Sequence, residues 1–373
     1  MAQPKDPRGG NINLRPHASG NSNQPRVRSF FKKGTIEKTS LSINSIGELY
    51  GVDGKQLSQQ YKLHLSNFTS WDQLSHASEY VVFPENISHS VSMDEVCLSQ
   101  GELYTIVTSK SAKGKKGALV AIVKGTKSDV VIEKLKLIST TKLLSVKEIT
   151  IDLSPTMNLI AESVFPSAEI VSDRFHVQKL MNEAVSDLRV SYRWESIEKE
   201  NKMIETAKKL GHKYIAPTFK NGDTRRQLLA RSRHIVLKHF SKWTPSQKER
   251  AEILFREYPF LKKAYDTSMG LVQIYNTTRI TKDGRINKKN IRGVALLKLT
   301  QWYNRVELLN SKYFNSVIRT MQNNYASVCN YFVNRATNAA AESFNAKVKV
   351  FRSQLRGVRD IPFFIFRLTK LFA

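Results

Sequence analysis

The sequence predicts an α+β / α/β fold: a sheet core with the element order βββαβαβα, interrupted by a large all-helical insertion and preceded by a small helical region. Three observations predict it. Val91 to Leu98, Glu102 to Ser109 and Gly117 to Gly125 are β-rich runs joined by short turns, which makes a three-stranded meander. From Val130 onward a helical period alternates with two further β runs, Val146 to Leu153 and Ala168 to Ser172. From about residue 195 to 335 the pattern is wholly helical.

In chain order, residues 1–38 are rich in Pro, Gly, Asn, Ser and Arg, lack apolar periodicity and read as a disordered basic arm. Residues 39–88 hold two short helical patterns: Ile43, Ile46, Leu49 and Tyr50, then Leu57, Tyr61, Leu65 and Phe68, around Gly51-Val52-Asp53-Gly54. These suit a DNA-binding helix-turn-helix, and a plain helical hairpin stays open because only Lys55 and Lys62 mark the second helix. The first part of the sheet core occupies residues 89–194. There a helix period runs through Val130, Val131, Leu135 and Ile138, and the fourth strand ends on Asp152. A helix from Pro155 to Val164 closes at Pro166, and the fifth strand leads into a long helix from about Phe175. This element order is that of ribonuclease-H-like proteins, an analogy at the level of fold. Residues 195–335 form the helical insertion, with amphipathic stretches near Gln227 to Phe240, Pro245 to Tyr258 and Gly293 to Val306. Trp194, Trp243 and Trp302 sit at helical positions and read as core. Residues 336–373 supply a final site-bearing helix and a C-terminal helix.

Across 373 residues, 59 Lys and Arg face 32 Asp and Glu, a formal net charge of +27 with pI near 10.0. Such a balance calls for a polyanionic partner, and nucleic acid is the common one. A membrane is the rival, but the longest apolar run, Ala118 to Val123, is far short of a span, and the N-terminus lacks the apolar core of a secretion signal. Cys97 and Cys329 stand in no metal-ligand spacing, so neither zinc nor a disulfide framework is expected, and a reducing, cytoplasmic setting follows. Basic residues cluster in the second turn of the meander (Lys113, Lys115, Lys116) and in the insertion (Arg225, Arg226, Arg231, Arg233, Lys238). A further loop carries Arg279, Lys282, Arg285, Lys288, Lys289 and Arg292. With few carboxylates to balance them, phosphate contact is favoured over a merely solvated face.

Three acids are candidates for two-metal phosphodiester chemistry, which needs oxygen ligands converging from separate elements. Asp94 lies on the first strand and Asp152 at the end of the fourth, strands that neighbour one another in a ribonuclease-H-like sheet. Side chains alternate, so of Asp94 and Glu95 only one joins such a cluster. Asp152 follows the apolar Ile149 and Ile151, where an unpartnered carboxylate is costly, and metal is one source of positive charge. Capping of the Pro155 helix by Asp152 is the competing reading, with Ser154 the better-placed cap. Glu342 stands in a C-terminal stretch that includes Arg335, Lys347, Lys349, Arg352 and Arg356, with Asp360 as the one other acid. With Asn338 as cap, Glu342, Asn345, Ala346 and Lys349 share one helix face; a structural ion pair from Glu342 to Lys349 or Arg335 is the alternative.

At this point the residues resemble a known family. Ile151-Asp152-Leu153-Ser154-Pro155, Phe165-Pro166-Ser167-Ala168, Asp173-Arg174-Phe175-His176-Val177 and Asn338-Ala339-Ala340-Ala341-Glu342-Ser343-Phe344-Asn345 resemble bacterial insertion-sequence DDE transposases of the ISL-three group. Ser92-Met93-Asp94-Glu95 and Gly101-Glu102-Leu103-Tyr104-Thr105 are similar to the Aon-type branch. The likeness runs from about residue 40 to the end. It implies a catalytic, metal-holding triad of Asp94, Asp152 and Glu342 and two magnesium or manganese ions. It also implies supporting roles for Asp173, His176 and Asn345, with helix capping by Asp173 still open. Double-stranded DNA, as transposon ends and target, is the implied partner, contacted by Lys113, Lys115, Lys116, Arg225, Arg226, Arg231, Arg233, Lys347, Lys349, Arg352 and Arg356. The implied reaction is nicking at the element's ends followed by strand transfer, in a homo-oligomer assembled on DNA. A nuclease of the same fold without strand transfer, an inactive DNA-binding remnant and a basic RNA-binding protein are the rival readings.

Overall fold

Period-two alternation across β runs packs into a six-stranded mixed sheet in a computed structural model that describes residues 36–99, 101–277, 291–355 and 358–373. Residues 1–35 of the basic arm, the cluster from Arg279 to Lys289, and Arg356 lie outside the described residues. The chain divides into two compact units, residues 78–349 with 372–373, and residues 1–77 with 350–371.

In the larger unit the strands are β1 (Tyr80–Val82), β2 (Ser90–Ser99), β3 (Glu102–Ser109), β4 (Leu119–Lys124), β5 (Glu148–Ile151) and β6 (Glu169–Ser172), in the order β1-β4-β3-β2-β5-β6. The pairings are antiparallel from β1 to β2, then parallel for β2 with β5 and for β5 with β6. The expected meander and its neighbouring fourth strand are present. β1 is additional: three residues ahead of Pro84 are too few to show a period. The single helix expected after the meander is two, α1 (Ser128–Leu135) and α2 (Thr140–Ser145), and α3 (Pro155–Val164) follows β5.

One sheet face is apolar. Val91 and Met93 of β2, with Ile149 and Ile151 of β5, pack against Val131 and Leu135 of α1 and Met157, Ile160 and Val164 of α3. The same strands turn Ser92 and Thr150, both fully buried, to the opposite face. There Lys110 donates to Glu148 Oε1 at 2.8 Å and to the Thr150 hydroxyl.

A second core is helical. It joins β6 through Val171 to α4 (Arg174–Lys209), α5 (Arg225–Arg231), α6 (Arg233–Val236), α7 (Pro245–Glu257), α8 (Pro259–Thr277), α9 (Ile291–Glu307), α10 (Lys312–Asn323) and α11 (Tyr325–Asn334). Trp302 is buried and its Nε1 donates to Thr267 O at 2.8 Å, as a core tryptophan must. Trp194, expected as core, is instead 61 % exposed, because it lies on the side of α4 away from buried Arg189 and Ser196. Asp223 pins this region from a fully buried position: Arg231 donates to Oδ1, Arg250 Nε to Oδ2 at 2.6 Å, and Asn221 Nδ2 at 2.9 Å. Burial pushes its carboxyl up, but the hydrogen bonds from Arg250 and Arg231 outweigh that and hold it below the usual range.

The smaller unit contains α12 (Ile43–Leu49) and α13 (Gly54–Gln60), the latter continued by a π-helical turn over Tyr61–Leu65. Ile36–Lys38, read from the sequence as the end of the arm, form a helical turn with Ile36 buried. Ile36, Ile43, Ile46, Leu57, Tyr61 and Leu65 pack with Phe363 of the C-terminal helix α14 (Ile361–Phe372). Arg367 is 2 % exposed, donates to Ile36 O at 2.9 Å and lies over the Tyr61 ring. Lys62, one of the two cations marking the second helix, pairs with Asp360. The two short helices cross where both are glycine: a Cβ on Gly47 would stand 2.6 Å from Gly54 Cα.

Two stability predictions follow from these contacts. Asp223→Ala should cost about 3 kcal/mol in urea unfolding at pH 7 by leaving Arg250 without its partner. Because the folded carboxyl is depressed, this contribution is fully present above the unfolded value of about 3.9 and is lost as pH falls through the lower folded value. A variant as stable as the parent at pH 7 would refute the staple. Gly47→Ala should destabilise the smaller unit by about 1–3 kcal/mol through backbone overpacking, read as faster proteolysis within residues 36–77; unchanged proteolysis would show that the helices can part freely.

Candidate functional site

The parallel registers assemble a row of acids. Ser90 pairs with Glu148 and Ser92 with Thr150, so two residues further Asp94 stands abreast of Asp152. Ile151 pairs with Ser172, so one residue further Asp152 stands abreast of Asp173. Residues in register across parallel strands share a face, and the row continues the polar face of Ser92 and Thr150. Asp152 and Asp173 lie just past the carboxyl ends of β5 and β6, where the Asp173 N–H still donates to Ile151 O at 2.9 Å.

A helix from the end of the chain closes on this row. In α15 (Ala339–Gln354), Asn345 donates Nδ2–H to Asp94 Oδ2 at 2.7 Å. Glu342 lies one turn earlier on the same face and is exposed. Just before the helix, the Asn338 N–H donates to Asp173 Oδ1 at 3.3 Å. The β3–β4 loop holds the helix from the other direction: Lys347 donates to Gly114 O at 2.6 Å. Gly114 has φ +68, and a Cβ there would stand 3.4 Å from Ser343 Oγ, so glycine suits both the conformation and the close approach.

Each acid has a distinct setting. Asp94 also accepts from the Glu95 N–H at 2.8 Å. Asp152 accepts from the Ser154 N–H at 2.9 Å. Asp173 is 2 % exposed and its Oδ2 lies 3.2 Å from His176 Nδ1. Burial raises the Asp94 carboxyl above the ordinary range, the like charges of Asp152 and Asp173 add to it, and the Glu95 N–H and His176 oppose it. Burial and then Asp173 raise Glu342. The hydrogen bond to Asp173 raises His176, favouring its cation.

The expected caps do not form. Ser154 occupies the N-cap position of α3 without a side-chain bond, Asp152 taking its N–H instead. Asp173 starts α4 without capping it, because its oxygens serve Asn338 and His176. Asn338 O accepts from the Glu342 N–H, yet its fully buried side-chain amide makes no hydrogen bond. Among the described residues Glu342 pairs with neither Lys349 nor Arg335; the Arg335 guanidinium lies over the Tyr331 and Phe332 rings. Among the described residues, no three of His, Cys, Asp and Glu converge closely enough to hold a metal ion.

Two further charged residues lie near the row, Glu95, which strand alternation weighed against Asp94, and Lys110, for which the sequence suggested no role. Glu95, on the alternate face of β2, is raised by burial and also by the charges of Asp152 and Asp94. The ionic partner of Glu148, Lys110, is half a sheet away in sequence, and only the register brings them together. Of the basic positions, Arg225 lies 2.9 Å from Glu257, Arg231 on Asp223 and Arg226 3.8 Å from Glu200. Lys113, Lys115 and Lys116 sit on the β3–β4 loop, and Lys347, Lys349 and Arg352 on α15. Arg233 begins α6.

A family model, DDE_Tnp_ISL3, described as a transposase, matches residues 91–368, from β2 into α14 and so across every acid of the row and Glu342. No curated protein matches the chain. Among the described residues no helix is long and apolar enough to cross a membrane.

The row makes a prediction about stability. Like charges set side by side cost the fold, so Asp94→Asn should raise stability in metal-free buffer at pH 7 by about 1 kcal/mol, measured by urea unfolding. The Asn345 amide can rotate to offer its unpartnered Oδ1 to the new amide. A less stable variant would mean that the carboxylate holds the fold together.

Proposed function

Since the chain belongs to the ISL3 family of transposases, we propose that it cuts DNA at the ends of its own insertion sequence and joins the freed 3′-hydroxyl to target DNA, using Asp94, Asp152 and Glu342. The observation that supports this most is the convergence of acids from separate elements: Asp94 and Asp152 abreast by strand register, and α15 tied to Asp94 through Asn345.

Magnesium or manganese fits the donor set, because carboxylate oxygens are hard ligands and a cation would offset the burial and, after it, the like charges that raise Asp94. Asp94, Asp152 and Glu342 would hold it, after side-chain rotation draws them closer than they stand now. When bound, metal ions supply activation of the attacking hydroxyl and stabilisation of the leaving oxygen. The chain's other residues act around that chemistry. Asn345 orients Asp94. His176, held toward its cationic form by Asp173, offers positive charge to a backbone phosphate. Lys113, Lys115 and Lys116 with Lys347, Lys349 and Arg352 supply phosphate contacts that position duplex without reading it. Arg225 and Arg231 contribute once DNA competes with their carboxylate partners. Assembly on two DNA ends implies more than one copy of the chain.

Inverted repeats in the DNA flanking the gene would define the substrate. On an oligonucleotide duplex ending in that repeat, with magnesium or manganese, Asp152→Ala and Glu342→Ala should each lower cleavage and joining by roughly 10³-fold. Duplex binding should stay within about twofold of the parent, since phosphate contacts carry it. Unchanged cleavage by either variant would remove that acid from the triad. Products that are only hydrolysed, never joined, would leave a nuclease.

A further inference from the structure

A cleft of about 740 Å³ opens along the edge strand β6, between α3 and the α10–α11 junction. Its size falls within the range of about 300–1,000 Å³ typical of small-molecule pockets. Leu153 and Pro155 line it, so the short turn that follows Asp152 forms part of its wall.

The lining is unusual for this chain. Among the described residues, no lysine or arginine lines the cleft. Its polar groups are the amides of Asn158, Asn323, Asn324 and Asn330, the carboxylates of Glu162 and Glu169 and the hydroxyls of Thr320 and Ser327. Such a surface repels a phosphate but suits a neutral ring that carries amino and carbonyl groups, since amides and carboxylates pair with base edges. Asn158 Nδ2 donates to Asn324 Oδ1 at 2.9 Å, tying α3 to the α10–α11 junction. Asn330 donates to Ile170 O at 2.9 Å, while its own carbonyl oxygen is buried without a partner. Two apolar side chains in the lining stay exposed on different elements, Tyr325 at 56 % and Leu159 at 48 %. An exposed aromatic beside amides is a stacking platform with a hydrogen-bonding rim.

We infer that this cleft receives one unpaired nucleobase of the DNA strand processed at the aspartate row, stacked on Tyr325 and held at its edge by Asn323 and the neighbouring amides. The inference rests on the transposase reading for the identity of the strand. Turning a base out of a duplex costs a few kcal/mol, least at a frayed or unpaired position, so the cleft would favour DNA ends over continuous duplex.

The test uses the full chain and a short duplex carrying one unpaired 2-aminopurine near its end, compared with the same duplex made abasic there. The base-bearing probe should bind about tenfold tighter, with its fluorescence quenched on binding. Tyr325→Ala should abolish both the difference and the quenching while binding the abasic probe as the parent does, and Tyr325→Phe should restore both. Asn323→Ala should reduce the difference without removing the quenching. Equal affinity of the parent for the two probes would overturn the proposal. So would a Tyr325→Ala variant that keeps the difference but loses self-association, which would make the cleft a protein contact. If the parent binds neither duplex, the reading of the chain as a DNA-processing enzyme falls with it; binding of both duplexes without discrimination removes the base pocket alone.

Discussion

The two parallel pairings of β5, with β2 on one side and β6 on the other, are the constraint on which the site depends. A strand's side chains alternate, so slipping either pairing by one residue would carry an aspartate to the apolar face and an isoleucine to the polar one. β5 has only four residues, too few to hold a register by hydrogen bonds alone. The register is held by what lies beneath it: Ile149 and Ile151 fit against Met157 and Ile160 of α3 and Leu135 of α1. Packing on one face thus sets the spacing of charge on the other.

That spacing concentrates negative charge in a chain whose overall balance is strongly positive. The local counterweights are modest: one amide from Asn345, three backbone N–H groups, and His176 against Asp173. Lys110, a half-buried lysine on the same sheet face, is already engaged by Glu148. The fold therefore tolerates a cost at the row, as sites of chemistry commonly do, and meets it with stability elsewhere. The Asp223 cluster is one such source, with two arginines and an asparagine satisfying a single fully buried carboxylate.

The positive charge is also less uniform than the composition suggests. Arg225 and Arg231 lie on carboxylates, Lys62 on Asp360, and Arg367 inside an aromatic core. Other cations lie on the β3–β4 loop and on α15, whereas among the described residues the cleft beside β6 has none. The protein thus carries two chemically different surfaces, one bearing cations and one lined by amides and carboxylates.

The sequence by itself determined the elements whose signal is local. β3, α3 and the start of α15 follow directly from a β-rich run between turns, from Pro155 at a first helical position and from the run Asn338 to Asn345. It also singled out Glu342, a lone acid among cations. What it did not determine were contacts that cross the chain: Asn345 on Asp94, Asn338 on Asp173, Lys110 on Glu148. Each joins residues far apart in sequence through strand register or helix docking, neither of which leaves a local period. Capping went astray for the same reason. Ser154, Asp173 and Asn338 all have the residue types and positions of caps, yet Ser154 makes no side-chain cap bond, the Asp173 carboxylate serves the Asn338 N–H and His176, and the Asn338 amide is buried without a bond. Local chemistry named the candidates at this site, and only the tertiary structure decided which atoms each of them met.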